Sequence, residues 1–202
     1  MSHAAALPRP TAAATAGGVL ADAFGGTRVR DAALVAGGAG LTAALAQVSI
    51  PIPPSPVPVT GQTLAVVLAG AALGARRGAA SQLLYLLVGL FLPVYAGGDS
   101  GAHVVWGSSG GYLFGFVLAA GLVGWAAQRG ADRRPLLAAL TFAGGQLAVF
   151  GIGVPWLKVS ADLGWGTAVH YGFTVFVVGG IVKAVVAAGL LPSAWRLARR
   201  VR

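Results

Sequence analysis

The chain has 202 residues, 56% of them hydrophobic and only 9% charged, and its mean hydropathy is +0.79. A soluble domain carries roughly 25% charged residues to cover its surface, so this composition excludes one and makes lipid the main solvent; length and apolar content favour a single domain. The net charge of +9 does not point to nucleic acid, because the basic residues form short clusters between apolar stretches, and the absence of cysteine excludes disulfide and thiolate chemistry.

Residues 1–27 are rich in Ala, Thr, Pro and Gly and lack a basic segment followed by an apolar core. They read as a flexible cytoplasmic tail and not as a signal peptide. Six apolar stretches follow: Asp31 to Ser49, Gly61 to Gly74, Gly78 to Tyr95, Gly110 to Gln128, Pro135 to Pro155 and Thr167 to Leu191. The expected fold is an all-α membrane protein, a bundle of six transmembrane helices spanning residues 28–195. The second stretch is short for a ~30 Å hydrocarbon core, so it is expected to be tilted or extended by its flanking loops.

Arginines set the orientation. Arg9, Arg28 and Arg30 precede the first stretch, Arg76 and Arg77 lie between the second and third, and Arg129, Arg133 and Arg134 lie between the fourth and fifth. Arg196, Arg199, Arg200 and Arg202 belong to a basic tail, residues 196–202. With six spans these twelve of the 14 Lys and Arg residues fall on one face. The positive-inside rule makes that face, and both termini, cytoplasmic.

The three opposite loops differ in character. The first, IPIPPSPVPVT from Ile50 to Thr60, is extended and stiff because Pro fixes φ and removes donors. The second, Ala96 to Ser109, and the third, Trp156 to Gly166, hold Trp106, Trp156, Trp165, His103, Asp99 and Asp162, with His170 at the border. The tryptophans fit either an interfacial belt or a binding site.

Lys183 is the sharpest single signal, a cation within the last apolar stretch, GGIVKAVVAAG. A charge at mid-bilayer costs roughly 2.5–3.5 kcal/mol on insertion scales. Its ammonium suits the carboxylate of a small acid or a carbonyl-type acceptor. The Gly110, Gly111 and Tyr112 start of the fourth stretch follows Gly107-Ser108-Ser109. It is either an oxygen-accepting helix N-terminus or a plain Gly-rich one. Small residues at four-residue spacing, Ala32, Ala36, Gly40 and Ala44, give the first stretch a flat face for packing within the bundle or for docking another membrane subunit. There is no P-loop, no metal-ligand spacing and no carboxylate relay along the spans. No catalytic residue and no metal site is expected: a binding unit whose energy comes from elsewhere fits best.

Four segments resemble the BioY family: VSIPIPPSPVPVTGQTLAVVLAGAALGARRG, Val48 to Gly78; LPVYAGGDSGAHVVWGSSGGYLFGF, Leu92 to Phe116, similar to "PVFAGG … GPTGGYLxGF"; GVPWL, Gly153 to Leu157; and AVHYGFTVFVVGGIVKA, Ala168 to Ala184. The resemblance covers about Asp31 to Leu191. It implies the biotin-binding S component of an energy-coupling-factor (ECF) transporter in the cell membrane, which captures biotin at the extracellular face. The implied partners are an EcfT-like coupling subunit, ATPase subunits that hydrolyse ATP, and membrane lipid; no cofactor is implied. Read together, the residues expected to bind the ligand are Lys183, Gly110, Gly111, Tyr112, Thr60, Gln62, Asp99 and Trp106. The resemblance makes the face carrying Ala32, Ala36 and Gly40 the docking surface for the coupling subunit.

Three departures stand out. Gly180 occupies the place of the Asp in the family's "GDxxK", "GPT" has become Gly107-Ser108-Ser109, and Val175 replaces a Pro. Losing that carboxylate removes an acceptor for ureido N–H groups, which Asp99 is available to replace. An S component for a different vitamin is the first alternative. The second is a rhomboid-like serine protease, since Gly107-Ser108-Ser109-Gly110 fits GxSG and His170 starts the last stretch. Against it, the second stretch holds no His or Asn for an oxyanion site.

Overall fold

The computed structural model of the protein describes residues 18–24 and 27–200. Most of the expected tail, with Arg9 and Arg202, lies outside the described residues. Among the described residues eight α-helices follow in order: α1 Arg28–Ala46, α2 Gln62–Leu73, α3 Ala75–Gly89, α4 Ala102–Trp106, α5 Gly110–Gln128, α6 Pro135–Ser160, α7 Trp165–Gly172 and α8 Val177–Arg200. Between α1 and α2 lies a short antiparallel hairpin, β1 Ser49–Ile50 and β2 Val59–Thr60, pairing Ser49 with Thr60 and Ile50 with Val59. Among the described residues four helical stretches are long and apolar enough to cross a membrane: α1, α5, α6 and residues 165–198.

α5 is the hub, packed against α2, α3 and α6. Eleven of its 19 residues are buried, because small side chains let its neighbours approach. A Cβ at Gly70 on α2 would lie 2.7 Å from the Ala120 carbonyl oxygen of α5, and one at Gly124 would lie 2.3 Å from the backbone of Gly74. Such contacts replace the hydrophobic drive that lipid cannot supply. The exterior carries the large apolar residues: Leu83, Leu87, Phe91, Leu118, Leu122, Ile181 and Val185 are all exposed. Polar residues go inside, with Thr42, Gln62, Ser81, Gln82 and Gln146 buried, and Thr42 of α1 donates to the Gln82 side chain of α3 at 3.2 Å. The buried set is still mainly apolar, so apolar side chains both fill the interior and cover the exterior, as expected of a bundle surrounded by lipid.

Differences from the expected elements have local causes. Residues 18–24, grouped with the tail from sequence, fold into a 3-10 turn, Leu20–Phe24, with Val19 and Ala21 buried. Arg77 anchors it by donating to Asp22, and to Asp31 at 2.9 Å. Burial alone would raise the Asp22 carboxyl, but the hydrogen bond from Arg77 prevails and holds it below the ordinary carboxylate value. Eight of the 12 residues of α2 are buried, so neighbouring helices cover most of its surface.

α3 ends at Gly89, short of Tyr95, because the chain turns back at Pro93. Tyr95 then donates to the Leu86 carbonyl at 2.6 Å, and its ring lies 2.1 Å from where a Gly89 Cβ would stand. α6 runs through Pro155 to Ser160. The last stretch is two helices: Phe173 leaves helical geometry at φ −132°, ψ −57°, and a 3-10 turn, Thr174–Phe176, separates α7 from α8. α8 also continues past Pro192 through residues expected as a tail, since Ala, Leu and Arg favour helix.

Candidate functional site

A cavity of about 210 Å³ opens beneath the Pro-rich hairpin. Its walls come from that hairpin (Pro56, Val57, Pro58), the N-terminus of α2, the α3–α4 connection, α5, α6 and the start of α8. The hairpin is fixed over it: Ser55 donates to the Tyr171 carbonyl of α7 at 2.9 Å. One side is aromatic. Phe150 packs against Phe176 at 5.9 Å between ring centroids and against Tyr112 at 6.4 Å, and Tyr112 meets Phe176 at 6.2 Å. Tyr112 also donates to the Gly172 carbonyl at 2.9 Å, taking up an acceptor just where α7 ends.

The other side is polar. Lys183 of α8 reaches across to the α2 N-terminus, where Nζ donates to the Thr60 carbonyl at 2.5 Å and to Thr63 Oγ1 at 2.9 Å. Among the described residues no carboxylate lies within ion-pair distance of it. Thr60 Oγ1 donates to Gln62 Oε1 at 2.6 Å, Gln62 Nε2 donates to the Tyr85 hydroxyl at 2.7 Å, and Tyr85 donates to the Val94 carbonyl at 3.1 Å. This relay ties α8, β2, α2 and α3 into one scaffold under the cavity. The arrangement suits a small acid with an apolar body: a ring-lined slot, a few directed polar groups and one cation.

Of the residues singled out from sequence, Lys183, Thr60, Gln62, Tyr112 and Asp99 line this cavity. Asp99 lies in the α3–α4 connection, its Oδ1 accepting the Ser100 N–H at 2.8 Å and facing His103 Nε2 at 3.2 Å. Gly110 and Gly111 are not part of the wall. A Cβ at Gly111 would lie 2.3 Å from Trp156 Cβ, and one at Gly110 would lie 1.7 Å from the Val105 carbonyl oxygen; both glycines permit close packing. Two of the donors expected to be open at this helix start are engaged, the Gly110 N–H with Gly107 and the Tyr112 N–H with Ser109. Trp106 is 68% exposed and stacks on Trp156, with centroids 6.0 Å apart, outside the cavity.

The Ser109–His170 pair is not brought together. Ser109 lines the cavity, while His170 is exposed and packs beside Tyr171. Sequence reasoning missed Thr63, Phe150, Phe176 and Gln146. Gln146 had a signal, being with Thr141 one of two polar side chains between Pro135 and Val154.

On α1, Ala32, Ala36, Gly40 and Ala44 are all exposed on the outer face, and a Cβ at Gly37 or Gly40 would meet nothing within 4 Å.

The family model described as "BioY family" matches residues 12–200. "Biotin transporter BioY2" of Lactococcus lactis subsp. cremoris is 38% identical over 160 residues, 79% of this chain and 86% of that protein. "Biotin transporter BioY" of Rhizobium etli is 36% identical over 141 residues, 66% of this chain and 75% of its own length. A crystal structure described as the S-component for biotin from an ECF-type ABC transporter superposes with a TM-score of 0.76, covering 84% of this chain and 92% of that one at 24% identity, and so shares the fold. With a family model spanning almost its whole length and relatives matched over most of theirs, this chain belongs to the BioY family.

Proposed function

We propose that the protein is the substrate-binding S component of an ECF-type biotin importer, and that the cavity beneath the hairpin is where biotin sits. The observation that carries this reading is Lys183, a partly buried ammonium with oxygen partners and no carboxylate partner among the described residues, beside an aromatic wall. Biotin presents what such a site recognises: a fused apolar ring system, a ureido group for directed hydrogen bonds, and oxygen acceptors for a cation. Thr60, Gln62, Tyr112 and Asp99 supply further polar contacts around it.

In this reading the chain spans the cell membrane six times, α2 and α3 completing the set with the four long apolar stretches. The arginine clusters of the termini, the α2–α3 connection and the α5–α6 connection face the cytoplasm. Ala32, Ala36 and Gly40 form a smooth outward strip on α1, where a transmembrane coupling subunit docks by close helix packing. ATP is hydrolysed by separate subunits, and this chain carries no cofactor.

Purified protein in detergent is expected to bind biotin, and not thiamine or riboflavin, by isothermal titration calorimetry. Lys183→Ala is expected to weaken binding about tenfold, the loss of one charge-assisted hydrogen bond. Absence of biotin binding by the wild-type chain, with thiamine or riboflavin binding instead, would transfer the reading to another vitamin.

A further inference from the structure

Gln146 lines the cavity with a polar atom that the described residues leave unpaired. It sits on α6 and is 93% buried, being only 7% exposed, and its Oε1 has no hydrogen-bond partner among the described residues. Leaving a buried amide oxygen unsatisfied costs about 1–3 kcal/mol, and the cost is expected to be higher where lipid surrounds the bundle. A residue needed only for packing would be Leu or Met at this position. The amide is also placed against α8: a Cβ at Gly180 would come within 3.3 Å of Gln146 Nε2. Glycine at 180, about one helical turn before Lys183 on α8, therefore leaves the amide room to stand at the cavity wall.

We infer that Gln146 is the specificity-determining residue for the ureido ring, pairing with it through one N–H donor and one carbonyl acceptor. A primary amide is self-complementary to a cyclic urea, whose adjacent N–H and C=O present the reciprocal acceptor and donor. A carboxylate offers acceptors alone. This inference rests on the cavity being the biotin site. It selects ligands with a cis amide or urea edge over acids of similar size that lack one, since an unpaired Gln146 would stay buried against them.

Gln146→Met tests it, because Met keeps the length and removes both polar atoms. Ligand-free Gln146→Met is expected to unfold in detergent at the same temperature as wild type or higher, since no protein hydrogen bond is lost. Its affinity is expected to fall about tenfold for biotin and by the same factor for biotin methyl ester, as both carry the urea. Gly180→Ala, which crowds the amide, is expected to weaken biotin several-fold in the wild-type background and to have no further effect with Gln146→Met. Unchanged biotin affinity in Gln146→Met, or a loss confined to the free acid, overturns the inference and leaves the biotin site standing. Wild-type protein that binds no biotin overturns both, so the two failures are distinguishable.

Discussion

Asp132 shows how a single buried charge behaves when its surroundings half-satisfy it. It lies in the turn between α5 and α6, fully buried, with Oδ2 accepting the Trp195 indole N–H at 2.5 Å and Oδ1 without a partner. Burial pushes its carboxyl up from the ordinary value, and the Trp195 hydrogen bond and nearby Arg133 only partly offset that. A carboxyl raised in the folded state adds stability below its unfolded value of about 3.9 and loses it as pH rises through the higher folded value. Asp132→Asn keeps an acceptor for Trp195 and abolishes the charge. It is expected to raise the thermal unfolding temperature at pH 7 and to have a smaller effect near pH 4, measured by differential scanning fluorimetry. Equal effects at both values would assign the gain to packing. Lys183 carries the opposite charge and gives up none of its partners: three donors meet two oxygens, leaving capacity for a third.

At the scale of elements, the break between α7 and α8 is the feature that shapes the cavity. Tyr112 holds the Gly172 carbonyl, and Phe173 and Phe176 turn inward onto Phe150. Tyr112→Phe keeps the ring and removes the bond. It is expected to cost about 1 kcal/mol of stability and to speed amide exchange at residues 173–176 several-fold while leaving α5 protected, read by hydrogen–deuterium exchange mass spectrometry. Uniform exchange across α5 and α8 would mean that the bond does not govern the break. The same element shows where sequence stops being informative. α5 was legible to both ends, since the Gly-rich start and the arginine after Gln128 bound one apolar run. The last run looked equally continuous, because the hydroxyl that takes up the Gly172 carbonyl at its interruption comes from 60 positions away. Likewise Lys183 announced itself as a cation among apolar residues, whereas Gln146 gained meaning only once the space beside Gly180 was known. Trp106 looked like lining because aromatic loops commonly are, yet its indole stacks outward on Trp156.

Across the whole molecule, the joins between distant parts of the chain share a geometry. Lys183 to Thr60, Tyr171 to Ser55, Gly172 to Tyr112 and Trp156 to Gly107 all link a residue before the α5–α6 turn to one after it. Arg133, within the turn itself, donates to the Gly18 carbonyl at 3.1 Å. Covalent continuity through the turn is therefore one link among several between the two halves. If the gene is divided so that residues 1–130 and 131–202 are made as separate polypeptides, the two pieces are expected to find each other in the bilayer. A tag on one should then bring down the other in mild detergent. Recovery of the tagged piece alone would show that covalent connection, and not this set of cross-links, holds the halves in register.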